Sequence, residues 1–406
     1  NYPPVIIMSC MWFGWKITLI ILVVVSSLRQ YGLCISQQIE ESFPKTPNSD
    51  FPEEEAEQDR KARLSLFKLV KFENYNCNAL NGFTGTCLLE KECRNLGGNP
   101  QGSCALSFGV CCYFESGCGS TTSVNNSYFV GPSTLGTGIG NCQYTINKAA
   151  PNVCQIRLDF EDFNLAQPNQ AGECAHDKMN IIGNNLGVPT ICGSNVGQHV
   201  YLHTGPANSP VTVSVSAARD FPGRRWRIRS TQIPCNSMSS APSGCLQYFT
   251  GVTGMIKSFN FLPNNKGFHL NNQLYSICVR PEYRFCSICY TQCGSSASGS
   301  FSISANQHDG DDARLTSQNN DLCPNDYLMI PCAQTDQVAL GPCEVNSLCG
   351  GALNTEDLED ATTVCSFVRP FRLMFKTDAN EAIAFDEDGP DVNSAGFCLN
   401  YVQNPC

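Results

Sequence analysis

Twenty-six cysteines in 406 residues are the most reactive feature of this chain. At that density thiols either hold metal in a reducing compartment or pair as disulfides in an oxidising one. Cys286, Cys289 and Cys293 have a finger-like spacing, but zinc thiolates compete poorly with disulfides outside the cell, so pairing is the favoured reading. The five histidines stand beside no motif that makes a nucleophile: G-x-S-x-G, H-E-x-x-H and serine-protease segments are all missing, and a non-catalytic chain is expected. A third chemistry is electrostatic. Arg219, Arg224, Arg225, Arg227 and Arg229 form a basic run, and alternation puts Arg225, Arg227 and Arg229 on one solvent face. Their guanidinium forks there suit anion binding, to sulfate or carboxylate groups of a glycan or an acidic partner. The plainer alternative is a solvated strand face.

The elements that must position these groups read as strands. Ile156, Leu158 and Phe160 alternate with Arg157, Asp159 and Glu161, the period of a strand with one face in a core. Trp226 and Ile228 alternate in the same way with the arginines, and Phe371 to Asp378 (FRLMFKTD) repeats the pattern. Hydrophobic content of 42% over this length supports two or three domains with real cores.

Compartment follows from the N-terminus. Lys16 precedes the apolar run Ile17 to Val25, and Cys34-Ile-Ser36 offers a cleavage point, so residues 1–36 read as leader and signal peptide. Met8 or Met11 is the expected initiator. Cleavage leaves 24 cysteines, an even number, and moves the net charge from −10 to −12, because only Lys16 and Arg29 are removed. Such acidity argues against nucleic acid as a partner, and no later apolar run is long enough to span a bilayer. A secreted, extracellular product is expected.

Residues 37–76 read as an acidic flexible linker, since Gln37 to Asp59 carries eight acids against one lysine, with three prolines. Arg60-Lys-Ala-Arg63 offers a dibasic-type processing site or simply an exposed charged patch, and Leu64 to Phe72 a short strand. Residues 77–112 hold six cysteines, at 77, 87, 93, 104, 111 and 112, in a segment too small for a core of its own, so disulfides must hold it. Six cysteines allow fifteen pairings. Asn125-Asn-Ser127 is a glycosylation sequon at Asn125.

Between these features runs a known grammar. Cys118-Gly119, Cys142/Tyr144/Ile146, Ile156/Leu158/Phe160, Cys174/Asp177/Met179/Ile181 and Cys192-Gly193 follow one another in order and spacing. The segment resembles the CUB domain, a jelly-roll-like antiparallel β-sandwich of secreted and surface proteins. From Cys245 the grammar restarts: Cys323 to Ile330 (CPNDYLMI) answers CAHDKMNI, Cys349-Gly350 answers Cys192-Gly193, and GFCLNYVQNPC closes the chain as RRWRIRSTQIPC closed the first unit. The implied fold is all-β, with CUB-like sandwiches over 118–235 and 245–406 behind a small disulfide-rich module. That module resembles a minimal clip domain of arthropod secreted proteins, although only ten residues separate its third and fourth cysteines.

The resemblances imply pairings. For the clip-like module they are Cys77–Cys111, Cys87–Cys104 and Cys93–Cys112; for the sandwiches Cys118–Cys142, Cys174–Cys192, Cys245–Cys278 and Cys323–Cys349. The repeat adds Cys154–Cys235 and Cys286–Cys406, because each pair occupies corresponding positions of the two copies. The six left over are assigned as Cys289–Cys293, Cys332–Cys343 and Cys365–Cys398.

Many CUB domains hold calcium through a Glu and two Asp. In the first unit Asp177 matches, but Ala166 and Ala218 stand near the other two positions. In the second, Asp326 and Asp378 match, and the Glu position falls in an insertion containing Asp309, Asp311 and Asp312. Calcium in the second sandwich is thus an open alternative to loop hydrogen bonding. The expected function is a secreted, non-catalytic binding protein that engages extracellular protein or carbohydrate ligands through CUB loops. The alternative is a non-catalytic regulator of an extracellular serine-protease cascade, acting through the clip-like module.

Overall fold

The structure, a computed structural model, describes residues 72 and 74–406 apart from 132–139, 184–186, 206–208, 219–220, 264–266, 295–298, 304–316, 321–322, 336–342, 344, 357–359 and 380–393. The expected signal peptide, the acidic segment, the Arg60–Arg63 site and the Leu64 to Lys71 strand lie outside the described residues, as do Arg219, Asp309, Asp311 and Asp312.

The small module comprises β1 (Asn76–Asn78), β2 (Thr84–Leu88), a six-residue helix α1 (Glu90–Asn95), β3 (Asn99–Cys104) and β4 (Gly109–Ser116). Residues expected to end the linker already belong to it: Asn76 opens β1, and the Tyr75 hydroxyl accepts a hydrogen bond from the Ala105 amide at 2.7 Å. Disulfides Cys77–Cys111, Cys87–Cys104 and Cys93–Cys112 tie the strands and helix together. With so little apolar surface to bury, the cross-links supply what a core cannot.

The first sandwich follows with β5 (Ser120–Thr122), β6 (Ser127–Val130), β7 (Gly140–Ile146), β8 (Val153–Asn164), β9 (Asp177–Ile182), β10 (His199–His203), β11 (Val211–Ala217) and β12 (Arg225–Pro234). One sheet has the order β5-β7-β11-β9; the other runs β6-β12-β8-β10 and continues through β4 into β2 and β1. β4 pairs in parallel with β6, Phe114 opposite Ser127. The small module and the first sandwich therefore share one hydrogen-bonded sheet.

Alternation behaves as a half-buried strand requires. Ile156, Leu158 and Phe160 are buried while Arg157, Asp159 and Glu161 are partly exposed. A bulge at Glu161 lets Phe163 rejoin the core face, since Ile228 pairs with Phe160 and Arg227 with Asp162. Trp226 and Ile228 of β12 face the same core.

The second sandwich contains β13 (Gln247–Phe249), β14 (Thr253–Lys257), β15 (Leu274–Val279), β16 (Phe285–Gln292), β17 (Phe301–Ser302), β18 (Ser317–Asn319), β19 (Tyr327–Ala333), β20 (Val345–Gly350), β21 (Val364–Ser366), β22 (Phe371–Lys376) and β23 (Gly396–Pro405). Its sheets are β13-β15-β22-β19-β20-β18 and β14-β23-β16-β21, with β17 beside β23.

Nine further disulfides brace the two sandwiches: Cys118–Cys142, Cys154–Cys235, Cys174–Cys192, Cys245–Cys278, Cys286–Cys406, Cys289–Cys365, Cys293–Cys398, Cys323–Cys349 and Cys332–Cys343. Two of them correct the expected assignments. Cys289 lies on β16 directly opposite Cys365 on β21, and the Cys293 amide donates to the Cys398 carbonyl at 3.0 Å. A Cys289–Cys293 bridge would have to span four residues of extended chain, about 13 Å, about twice what a disulfide reaches.

Candidate functional site

Three places gather polar chemistry: the arginine face of β12, the carboxylates behind the Cys174 and Cys323 loops, and the joint between the sandwiches.

On the face where an anion grip is expected, Arg225 is exposed and Arg227 and Arg229 are partly buried, and all three are paired with carboxylates. β12 runs antiparallel to β8, which sets Arg229 against Asp159 and Arg227 against Asp162. Arg225 bonds Asp162 at 2.8 Å, and Arg229 meets Asp159 at 3.1 Å and Glu161 at 3.4 Å. The small module covers the same face. Arg227 meets Glu115 at 3.1 Å, bonds the Tyr113 hydroxyl and lies over the Phe83 ring, while Arg229 donates to Thr84 Oγ1 at 2.9 Å. An incoming sulfate would have to displace these carboxylates. Burial raises the Glu161 carboxyl, and Arg229 partly offsets it.

Behind the first unit's Cys174 loop, Asp177 and Arg224 are both buried. Arg224 Nε donates to Asp177 Oδ2 at 2.9 Å and Nη2 to Oδ1 at 2.8 Å, and the Ala166 amide also reaches Oδ2, at 2.9 Å. This is the parallel two-point pairing that guanidinium geometry favours. A calcium ion does not fit here, because a side-chain cation already neutralises the carboxylate from within the chain. Arg224 belongs to the same basic run as the strand arginines, but its position just before β12 turns it inward.

In the second unit the Asp378 amide donates to Asp326 Oδ1 at 2.6 Å, and Asp326 is buried. Among the described residues no three His, Cys, Asp or Glu side chains gather as a metal site. Two carboxylates supply part of the six or more oxygens that calcium takes. His269, fully buried nearby, has its pKa lowered by desolvation against the opposing pull of Asp326 and Asp378.

Asn125 is half-buried, its side-chain oxygen accepting from the Gln232 amide at 2.8 Å, and Ser127 of the sequon is buried.

The joint is built from backbone and amide groups. Tyr201 donates its amide to Leu246 at 2.7 Å, Gln247 Nε2 reaches Gln198 Oε1 at 2.9 Å, and the Asn260 amide bonds Asn195 Oδ1 at 2.7 Å. Gly193 has φ +74°, and a Cβ there would fall 1.9 Å from Asn260 Oδ1, so both conformation and space exclude a side chain. His199 Nε2 accepts from the Tyr248 amide at 3.1 Å between the rings of Tyr201 and Phe249. Burial, with the Arg157 charge behind it, pulls the His199 pKa down to about 4.

The two sandwiches are both two-sheeted and disulfide-braced, with Cys192-Gly193 and Cys349-Gly350 at corresponding places. Residues 242–404 match the animal CUB domain model. That CUB match covers the second sandwich, and the chain's fold is all-β with two CUB-like sandwiches and a small disulfide-rich N-terminal module. Among solved structures, the CUB1-EGF-CUB2 domains of rat MASP-1 align at 13% identity over 71% of this chain and 99% of that one, with a TM-score of 0.22. The same domains of human MASP-1/3 align at 15% identity over 68% and 99%, also at 0.22. No curated protein matches the sequence. No described helix is long and apolar enough to cross a membrane.

Proposed function

We propose that this chain is a secreted, non-catalytic binding protein whose CUB-like sandwiches present loops to an extracellular protein or glycan. The observation that carries the reading is the CUB match over residues 242–404 in a region held by six disulfides wholly within it or reaching its edge. Disulfides at that density belong to an oxidising compartment, and the strand frame they fix leaves the connecting loops as the variable surface. Asn125 is proposed as a glycan attachment site and calcium as a further ligand of the Asp326 and Asp378 loops; glycopeptide mass spectrometry and calorimetric titration of the full chain test these. Probing an array of extracellular proteins and glycans with the full chain tests the function. Saturable binding that disappears on reduction of the disulfides supports it; no binding across the array, or turnover of an arrayed substrate, overturns it.

A second reading, regulation of a serine-protease cascade through the clip-like module, is favoured by one feature. Ala105, Leu106 and Ser107 all have positive φ, and the turn leaves Leu106 94% exposed at its tip. Three consecutive non-glycine residues in that region cost backbone energy, which is consistent with a displayed contact residue. Leu106→Ser lowering the binding of an active serine protease while leaving array binding unchanged would separate the two readings.

A further inference from the structure

A groove of about 460 Å³ lies between the sandwiches, bounded by Gly187–Pro189 of the first and by Leu274, Ser276 and Met374 on the second, with Leu246 of the connecting segment also lining it. Its second-sandwich wall is the outer face of β15 and β22. Phe371, Leu373 and Phe375 point into the core, so Arg372, Met374 and Lys376 take the other face. Lys376 stands opposite Leu274, Met374 opposite Ser276 and Arg372 opposite Cys278. Leu274 is 61% exposed. An apolar groove is thus flanked along one strand by a cation on either side.

Most of the described arginines are neutralised by acids, whereas Arg284 and Arg369, like Lys376, lie over aromatic rings. Arg157, Arg224, Arg225, Arg227, Arg229 and Arg280 each bond a carboxylate. Among the described residues neither Arg372 nor Lys376 does. Arg372 Nη2 donates to the neutral Ser243 carbonyl at 2.8 Å, its Nε is buried with no hydrogen-bond partner, and Lys376 Nζ lies 5.2 Å from the Tyr327 ring centre. In a chain of net charge −10, two unneutralised cations beside an exposed leucine and a partly buried methionine are an unmatched half of an interface.

We propose that the groove docks an extended acidic segment of a partner protein, one apolar side chain seated against Leu246, Leu274 and Met374 and a carboxylate on each side of it meeting Arg372 and Lys376. The cations stand four residue steps apart on β22, about 13 Å, so an extended ligand reaches both with acids two residues before and two after its apolar residue. The surface is a sheet face rather than the strand-end loops, so its failure leaves the loop reading standing.

Fluorescence polarisation with the full chain and a labelled peptide of sequence Gly-Glu-Ser-Leu-Ser-Glu-Gly tests the proposal. The expected result is affinity about tenfold above that of the same peptide with Lys for both Glu or Ser for Leu, falling with added salt. Leu274→Asp and Lys376→Gln, both at exposed or partly exposed positions, should each weaken it several-fold at an unchanged melting temperature. Equal binding of the Lys peptide, no binding of the acidic one, or full binding by both variants overturns it. So does a dimer in sedimentation equilibrium that Leu274→Asp dissolves, since the occupant would then be a second copy.

Discussion

The guanidinium carbon of Arg227 lies 4.3 Å from the centre of the Phe83 ring, and the same side chain meets Glu115 at 3.1 Å. One arginine of the first sandwich thereby holds both the aromatic cluster and the last strand of the small module. The Glu115 contact is partly exposed, so solvent screens it, and the ring contact contributes the larger share, about 1 kcal/mol. Arg227→Ala is expected to raise amide hydrogen exchange across β1 and β2 while leaving β16 and β22 unchanged. Uniform protection in the variant would show that the shared sheet alone seats the module.

Arg224 and Asp177 form a buried pair with side-chain exposures of 5% and 0%. Removing one partner strands the other charge, so Arg224→Ala should cost about 3–5 kcal/mol in denaturant unfolding. The double variant with Asp177→Ala should cost less than the sum of the two single changes. Additive losses would mean that the pair is not coupled.

His199 makes the joint acid-sensitive. Its folded pKa of about 4 lies below the ordinary 6.5, so the unfolded chain takes up a proton first. Its contribution is fully present above about pH 6.5 and is lost as pH falls from there through about 4, up to roughly 3 kcal/mol. The same acid arm should flatten in His199→Gln, measured as melting temperature against pH. An identical profile in the variant would assign acid sensitivity elsewhere.

Peptide mapping without reduction should join Cys289 to Cys365 and Cys293 to Cys398. Recovery of a Cys289–Cys293 peptide would contradict the strand geometry of β16.

The Asp326 carboxylate accepts the Asp378 amide at 2.6 Å. Asp326→Ala leaves that loop amide without its acceptor and should cost about 1–3 kcal/mol. Thermal melts with and without millimolar calcium check it: the hydrogen bond gives a loss present in both, and the proposed ion adds a further loss seen only with calcium.

Sequence alone determined the strands that cross the core, because alternation such as Ile156, Leu158 and Phe160 encodes which face is buried without reference to any neighbour. It also marked the corresponding cysteines of the two copies, since spacing along a repeated element is a local property. What it left open was which outward faces meet. The acids of β8 and the arginines of β12 are 63 or more residues apart for Asp162 and Arg225, and each face by itself reads as water-facing. Only the antiparallel pairing brings opposite charges into register, and only the parallel entry of β4 beside β6 lays Phe83 and Glu115 over them. Arg224 shows the same division: its type was visible, but whether it turned outward with Arg225 or inward to Asp177 was decided by tertiary packing, because a buried carboxylate requires a countercharge that local sequence does not specify.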